Sequence, residues 1–195
     1  MKLLLASQSP RRKELLSQLG YQFETVSIDV DESYPSNLLP ENIAGYVSEK
    51  KAAAIDVAVD EILITSDTIV ALDDKILLKP KNEGEAFKML KHLSDKKHQV
   101  YTAFTIKTSH SQITKTSRTD VEFNKIDDEE IKFYISQFKP FDKAGSYGIQ
   151  EWLGMAKIKN INGSFYSVMG FPADLVYEEL KKLDFLPQNF QKTIL

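Results

Sequence analysis

Cysteine is absent from this chain of 195 residues. Its absence excludes a disulfide framework, a thiolate zinc site, an iron–sulfur cluster and a cysteine nucleophile. A long hydrophobic run is absent at the start of the chain as well, because the four apolar residues 3–6 are followed at once by a polar segment with two arginines. A secretion signal needs about 7–15 apolar residues and a transmembrane helix about 20. We therefore predict no signal, no membrane span, and a soluble protein of the cytoplasm.

An excess of one charge sign is also missing. The chain has 25 Lys and Arg against 28 Asp and Glu, a net charge of -3, which argues against a protein that coats a nucleic acid polymer. Repeats, low-complexity segments and dividing linkers are not found. At roughly 150 residues per domain, we predict a single domain over 1–195, or two fused lobes with a cleft. Residues 186–195 lack periodicity and are predicted to form a loosely held tail.

Signals for strands and helices alternate along the chain, which predicts an α/β fold with a mixed parallel and antiparallel sheet flanked by helices. A strand over 2–6 precedes a helix over 10–19 that begins with Ser9 as N-cap and Pro10 in its first turn. Pro40 opens a second helix whose apolar face reaches Ala58. Further predictions are a turn at 73–74, a hairpin of 98–108 with 113–123, helices over 127–138 and from Pro172, and a tight hairpin at 162–163.

The segment from Ser7 to Arg12 is the first candidate site. A strand here feeds a helix whose first turn has free N–H groups, and Arg11 and Arg12 add two guanidinium groups. This combination favours phosphate binding. A capped surface helix with two solvated arginines is the alternative. The segment lacks the glycines and the Gly-Lys-Ser/Thr of a P-loop.

The second candidate is Asp67, between Ser66 and Thr68. We place it at the end of an apolar strand over 62–65, where α/β proteins form ligand crevices, with a further strand over 69–72. An aspartate there is suited to hold a divalent cation or to act as a general base toward water. A carboxylate that accepts bonds from backbone amides is the alternative.

The third candidate is the loop over 142–150, in which two glycines flank Tyr147. Its last residue, Gln150, carries both a donor and an acceptor and is suited to read the edge of a base. A plain structural turn is the alternative. Charged residues elsewhere are weaker candidates: Glu32 for a cation, and Lys51 and Lys79 for a polyphosphate. The three histidines lack the spacing of a metal pair, and we interpret them as structural.

Taken in order, these segments resemble the Maf family of nucleoside triphosphate pyrophosphatases over nearly the whole chain. The opening motif and the Tyr-Gly-Ile-Gln segment together make the resemblance specific. The matching segments include Ser7-Gln8-Ser9-Pro10-Arg11-Arg12, Asp31-Glu32, Lys51-Ala52, Asp67-Thr68, Lys79-Pro80, His98-Gln99-Val100-Tyr101-Thr102, Asp142-Lys143-Ala144-Gly145, Tyr147-Gly148-Ile149-Gln150 and Gly170-Phe171-Pro172.

The resemblance implies a mixed α/β fold related to that of the inosine triphosphate pyrophosphatases. It implies hydrolysis of a nucleoside triphosphate to the monophosphate and pyrophosphate with a divalent metal, and Asp67 as proton acceptor. The Tyr-Gly-Ile-Gln form is similar to the branch that acts on dTTP and UTP, in which the positions of Arg11, Thr68 and Gln150 are linked to base choice.

The residue types suit this chemistry. The basic side chains and the first helix would offset the charge of a triphosphate, and Ser7 would contribute to substrate binding. Glu32 and Asp67 would position Mg²⁺ or Mn²⁺.

The chain also departs from the family pattern, and some questions stay open. Glu151-Trp152 follows Gln150 where the family has a small, glycine-rich continuation. The alternatives to a dTTP and UTP enzyme are a broader, purine-directed sanitising pyrophosphatase and a binding module that regulates septum formation and cell division. The sequence leaves a homodimer open.

Overall fold

A computed structural model describes residues 1–73 and 75–191, and it confirms the mixed sheet flanked by helices. Within these residues seven strands form one sheet in the order β2-β1-β3-β5-β6-β7, with β4 paired to β3. The strands are β1 (Lys2–Ala6), β2 (Glu24–Thr25), β3 (Glu61–Leu72), β4 (Lys75–Leu77), β5 (Lys97–Lys107), β6 (Gln112–Phe123) and β7 (Ile158–Asn162). The helices are α1 (Pro10–Gln18), α2 (Pro40–Ala53), α3 (Glu83–Leu93), α4 (Asp128–Phe138), α5 (Trp152–Lys157), α6 (Phe165–Met169), α7 (Ala173–Lys182) and α8 (Gln188–Gln191).

The chain divides into two compact units. The first consists of Met1–Asp67, Thr102–Thr116 and the described residues from Gly170 onward, and the second of Thr68–Tyr101 and Ser117–Met169. Three strands, β3, β5 and β6, contribute residues to both units. The prediction of one domain or two fused lobes stays a prediction.

The first unit contains the parallel part of the sheet. β1 pairs in parallel with β2 and with β3, and the ladder to β3 runs from Lys2 opposite Glu61 to Ala6 opposite Thr65. Parallel strands need crossover connections, which α1 supplies between β1 and β2 and α2 supplies between β2 and β3. A core cluster of Leu4, Ala6, Ala52 and Leu63 forms because alternate residues of the strands face α2.

The second unit has an antiparallel edge and a larger core. β6 and β7 pair antiparallel, and α3 and α4 supply buried residues to the same cluster as the loop around Tyr147. α4 begins where the sequence predicts it, with a capping box. The Asp127 side chain accepts from the Glu130 N–H, and the Glu130 side chain accepts from the Asp127 N–H.

Three predicted features are wrong. β3 runs without a break through Ser66-Asp67-Thr68, because the Ser66 hydroxyl donates to the Ala103 carbonyl at 2.7 Å and the strand continues into antiparallel pairing with β4. α2 ends at Ala53, so Ala58 lies outside it.

The predicted tight hairpin at Asn162-Gly163 is the third error. β7 ends at Asn162, and α6 begins at Phe165 in place of a second strand. The Ser164 N–H donates to the Thr119 hydroxyl at 3.0 Å, which turns the chain away from the edge of the sheet.

The long hairpin is confirmed, since β5 and β6 are neighbours joined by a short polar turn. The turn predicted at 73–74 falls partly on residue 74, outside the described residues. In the predicted tail, Gln188–Gln191 form one helical turn, and the Gln188 amide donates to the Gln22 side chain at 2.7 Å. Residues 192–195 lie outside the described part.

Candidate active site

Asp67 lies in β3 two residues beyond the end of the parallel ladder with β1, whose last pair is Ala6 and Thr65. Beyond that pair β1 has ended, and the chain continues into α1, which begins at Pro10. The Asp67 side chain is 14% exposed, so it is largely enclosed but still reachable by water. Asp67 therefore lies just past the carboxyl end of the parallel β1–β3 ladder, but within a strand that continues to Leu72 and not after its end as predicted.

Lys51 from α2 holds Asp67 and Glu32 at once. Its ammonium nitrogen lies 2.8 Å from Asp67 Oδ1 and 2.7 Å from Glu32 Oε1, and the Lys51 side chain is only 9% exposed. A buried ammonium group needs such partners, because its transfer from water is otherwise costly. We call Glu32, Lys51 and Asp67 the acid–lysine cluster. Its formal charge is negative, so it attracts a further cation.

A second lysine fixes the loop that carries Glu32. Lys50 donates to Asp31 Oδ2 and to the Ser33 carbonyl, each at 3.1 Å. Hydrogen bonds from the Ser33 hydroxyl and backbone, followed by the bond from Lys50, lower the pKa of Asp31 to about 2. Consecutive lysines of α2 therefore bind consecutive acids of the loop, which sets the position of Glu32.

Arg12 ties three segments of the first unit together. Its Nε donates to the Gly170 carbonyl at 2.8 Å, and Nη1 donates to the Ser66 carbonyl at 2.9 Å and to the Ser7 hydroxyl at 3.3 Å. Burial lowers the pKa of Arg12, while Asp67 and Glu32 oppose that shift. The guanidinium group remains charged. Arg12 thus supplies a fixed positive charge beside Asp67.

The segment before α1 is arranged by Ser7. Its buried hydroxyl accepts from the Ser9 N–H at 3.2 Å as well as from Arg12. Ser9 stands at the N-cap as predicted, but within the described chain its side chain makes no capping hydrogen bond. Arg11 follows Pro10 in the first turn and lies near enough to Arg12 for its charge to lower the Arg12 pKa.

The remaining predicted site residues, Thr68, Lys79 and Gln150, fall in the second unit. Thr68 is partly buried in β3, and Lys79 is exposed after β4. Gln150 is partly buried, and within the described chain its Oε1 is a buried acceptor without a hydrogen-bond partner. Their joint role in substrate binding stays a prediction.

His98 of the second unit is a core residue, as its structural interpretation requires. It is fully buried, its Nε2 lies 2.7 Å from the Tyr147 hydroxyl, and its ring stacks on Phe123. Burial lowers its pKa to about 4, against a smaller opposing effect of Asp120. Among the residues that the structure describes, no group of three or more His, Asp or Glu side chains is placed to enclose a metal ion.

Sequence reasoning missed several parts of this site. Lys50, which positions the loop before Glu32, carried a signal: two adjacent lysines on α2 matching two adjacent acids at 31–32. The carbonyl groups of Ser66 and Gly170 that accept from Arg12 carried none, because a backbone acceptor leaves no trace in residue type.

The fold and this cluster define a class: a mixed α/β protein with a lysine-bridged pair of carboxylates at the carboxyl end of its parallel strands. The family model described as Maf-like protein matches residues 2–183. The chain belongs to the Maf family.

Relatives cover nearly the full chain. A protein of Bacteroides thetaiotaomicron named dTTP/UTP pyrophosphatase is 48% identical over 93% of this chain and 95% of its own length. A protein of Phocaeicola vulgatus with the same name is 48% identical over 93% of this chain and 96% of its own length. Another of that name, from Porphyromonas gingivalis, is 46% identical over 92% of this chain and 93% of its own length.

Solved structures are more distantly similar. A nucleoside-triphosphatase, or dITP/XTP pyrophosphatase, of Mycobacterium abscessus is 18% identical with a TM-score of 0.40, over 65% of this chain and 76% of that one. The Ham1 protein of Staphylococcus aureus is 17% identical with a TM-score of 0.45, over 66% and 73%. Separately, no helix in the described ranges is both long and apolar enough to cross a membrane.

Proposed function

We propose that this chain hydrolyses dTTP and UTP to the nucleoside monophosphate and pyrophosphate. The observation that carries the proposal is the acid–lysine cluster, in which Lys51 holds Asp67 and Glu32 within hydrogen-bond distance. The names of relatives at 45–48% identity support the substrate.

In this reaction Asp67 takes a proton from water. The water oxygen forms a bond to the α-phosphorus, the bond from that phosphorus to the bridging oxygen breaks, and pyrophosphate leaves. Lys51 occupies Oδ1 of Asp67, so we assign the second carboxylate oxygen as proton acceptor. A positioned general base contributes about 10²–10⁴-fold to a rate.

Positive charge for the phosphates comes from the chain itself. Arg12 is fixed by its backbone partners, and Arg11 stands in the first turn of α1, whose N-terminal N–H groups face an anion favourably. Lys51 and Lys79 complete the proposed set of basic groups, and Ser7 orders the turn that leads into α1. Thr68 and Gln150 are proposed to act in base choice.

A divalent cation fits the cluster. Mg²⁺ binds in proteins through one or two carboxylates together with phosphate oxygens and waters. Asp67 and Glu32 provide two carboxylates whose oxygens both lie within 2.8 Å of one ammonium nitrogen, and their joint charge exceeds that of Lys51. We therefore propose that these two residues hold Mg²⁺ or Mn²⁺. When bound, the cation would neutralise charge on the phosphate oxygens.

The Asp67→Asn variant tests the proposal. We expect its kcat for pyrophosphate release from dTTP to fall by about 10²–10⁴-fold, because an amide cannot accept the proton. Its affinity for dTMP should stay within a few-fold, since Lys51 retains Glu32. Asp56→Asn, at an exposed aspartate outside the cluster, is the matched control and should keep wild-type turnover. Release of pyrophosphate at the wild-type rate by Asp67→Asn would reject the assigned role.

A panel of nucleoside triphosphates, assayed with Mg²⁺ or Mn²⁺ and then with a chelator, tests the substrate. We expect dTTP and UTP to be preferred and the chelator to abolish turnover. A preference for purine nucleotides would favour the sanitising alternative. A cell-division phenotype that persists with Asp67→Asn would favour the binding module.

The cellular location and the oligomeric state of the protein are two separate proposals. We propose a cytoplasmic location, which cell fractionation checks. A homodimer is the assembly we would test, by sedimentation of the purified chain with and without dTMP.

A further inference from the structure

A carboxylate, a phenol and an ammonium group converge on the loop that carries Gln150. The Tyr134 hydroxyl donates a hydrogen bond to Glu151 Oε2, and Glu151 Oε1 lies 3.0 Å from Lys143 Nζ. Tyr134 is fully buried, and the side chains of Lys143 and Glu151 are 9% and 17% exposed. We call Tyr134, Lys143 and Glu151 the Glu151 clamp. All three belong to the second unit.

The clamp closes a tight turn around Gln150. The Tyr134 hydroxyl accepts from the Gly148 N–H at 2.9 Å, so one phenol joins the backbone at 148 to the carboxylate at 151. The Glu151 N–H also donates to the Gly148 carbonyl at 3.1 Å. Gln150 is therefore the third residue of a four-residue turn whose two ends are bonded by both backbone and side chains.

Gly148 is what lets the carboxylate approach this closely. A Cβ at position 148 would lie 2.8 Å from Cδ of Glu151 and 3.0 Å from Nε2 of Gln150. Real Cβ atoms essentially never come closer than 3.0 Å to another heavy atom, so a side chain at 148 would push the Glu151 carboxylate away from its position in the clamp. The Glu151 carboxylate and the Gln150 amide thus pack against the same stretch of backbone.

The clamp holds Gln150 in a conformation that the chain alone does not favour. Its buried Oε1 has no hydrogen-bond partner in the described part of the chain. A buried acceptor without a partner has lost its hydrogen bonds to water and gained none in return, which is unfavourable. A flexible turn would rotate that amide toward a donor or toward water, whereas a turn bonded at both ends keeps the acceptor available to a ligand N–H.

We propose that Glu151 is a positioning residue for base selection: through Tyr134 and Lys143 it fixes the turn that orients the Gln150 amide toward a pyrimidine. The inference rests on the proposed function, since it presumes that Gln150 reads the base. Glu151 stands where the family has a small, glycine-rich continuation after the glutamine, so the proposal assigns a role to a residue in which this chain differs from the family pattern.

Glu151→Gln is the first test. Lys143 keeps its bond to Asp142 at 2.8 Å, so no buried ammonium group is left without a partner, and the variant retains nearly the same volume. We expect the ratio of kcat/KM for dTTP over that for dATP to fall about tenfold, equivalent to about 1.4 kcal/mol. The kcat for dTTP should stay within about twofold, because Asp67 is unchanged.

A matched control and a second variant distinguish the positioning of Gln150 by Glu151 from the general effect of removing a negative charge. Glu122→Gln makes the same change at an ion pair with Lys159, between the neighbouring strands β6 and β7 of the same unit, and it should leave the ratio unchanged. Tyr134→Phe removes only the hydroxyl and should reproduce the shift of Glu151→Gln. The double variant of Gln150→Ala with Glu151→Gln should be no less selective than Gln150→Ala alone. The two changes should not add, because Glu151 is proposed to act on selectivity only through Gln150.

Two readouts that do not need turnover complete the test. Exchange of the Gly148 amide hydrogen should accelerate at least about tenfold in Glu151→Gln and in Tyr134→Phe, while amides of α7 keep their wild-type rates. Binding of dTMP and dAMP is measured through the fluorescence of Trp152, the sole tryptophan of the chain. The ratio of the two affinities should fall in the same variants.

The outcomes distinguish the two proposals. A wild-type chain that binds dTMP selectively without hydrolysing dTTP would reject the proposed function, and the affinity ratio would still decide the role of Glu151. Faster exchange at Gly148 with unchanged selectivity would overturn the positioning role, as would unchanged exchange. The positioning role of Glu151 would also be overturned if the wild-type chain showed no preference among nucleotides in kcat/KM or in binding affinity.

Discussion

At the residue scale, the site depends on how a few buried charges are paired. Lys51 lies between two carboxylates, and Arg12 is held by two carbonyl groups and a hydroxyl. The charged residues of this set, Glu32, Lys51, Asp67 and Arg12, were all predicted as site residues. Their pairing was not predictable, because an ion pair between positions 51 and 67 depends on how a helix packs on a strand.

His98 leads to a prediction on pH dependence. Its pKa in the folded protein is lowered to about 4 by burial, against 6.5 for an ordinary histidine. The unfolded chain therefore binds a proton that the folded chain does not bind between these values. The contribution of His98 to the free energy of unfolding is fully present above pH 6.5 and falls as the pH drops toward 4, by about 3 kcal/mol.

Urea unfolding of wild type and His98→Gln at pH 7, 5.5 and 4.5 checks this prediction. The variant should lose less stability over that range than the wild type, since glutamine does not titrate. His110→Gln, at an exposed histidine in a turn, should follow the wild-type dependence. Parallel curves for wild type and His98→Gln would contradict the assignment.

At the element scale, Gly163 explains why the predicted hairpin is wrong. Its φ of 133° lies in a region that favours glycine, and a Cβ there would lie 2.6 Å from the Thr119 hydroxyl oxygen. The Asn-Gly pair signalled a chain reversal at the right place. The residues after it, however, form α6 rather than a strand, because Ser164 bonds to Thr119 and not to β7.

Gly163→Ala should therefore destabilise the protein by about 1–3 kcal/mol, the range of backbone strain and overpacking. Gly45→Ala is the matched control, because Gly45 lies within α2 and its added Cβ would be 3.4 Å from the nearest atom, an ordinary contact. That change should stabilise the helix by about 0.5–1 kcal/mol. Denaturant midpoints of the two variants against wild type give the measurement, and equal stability of both would contradict the account.

At the scale of the whole molecule, the division into two units bears on how the chain unfolds. β3, β5 and β6 each contribute residues to both units. Neither unit can lose all of its strands without disrupting a strand of the other, so we expect a single cooperative transition. Trp152 fluorescence reports the second unit and far-UV circular dichroism reports the entire chain, and their denaturant midpoints should coincide. Two separate midpoints would show that the units unfold independently.

Most elements of the fold followed from local signals. Pro10 and Pro40 begin helices where predicted, and the apolar residues of β1 and the capping box of α4 mark their elements. The errors fall where tertiary contacts override local preference. Ser66 and Asp67 stay in β3 with tertiary partners for their side chains: the Ser66 hydroxyl donates to the Ala103 carbonyl of β5, and the Asp67 carboxylate accepts from Lys51 of α2.

The sequence by itself determined the class of chemistry. A chain without cysteine has no thiolate nucleophile and no thiolate metal ligand, and motifs spread from Ser7 to Gln150 were enough to identify the family. Tertiary structure alone decided which charges meet: that Lys51 bridges Glu32 and Asp67, and that Glu151 reaches Tyr134 and Lys143. The physical reason is that residue type and spacing fix local geometry, whereas pairing between distant side chains depends on how helices pack on strands and on burial that makes unpaired charge costly.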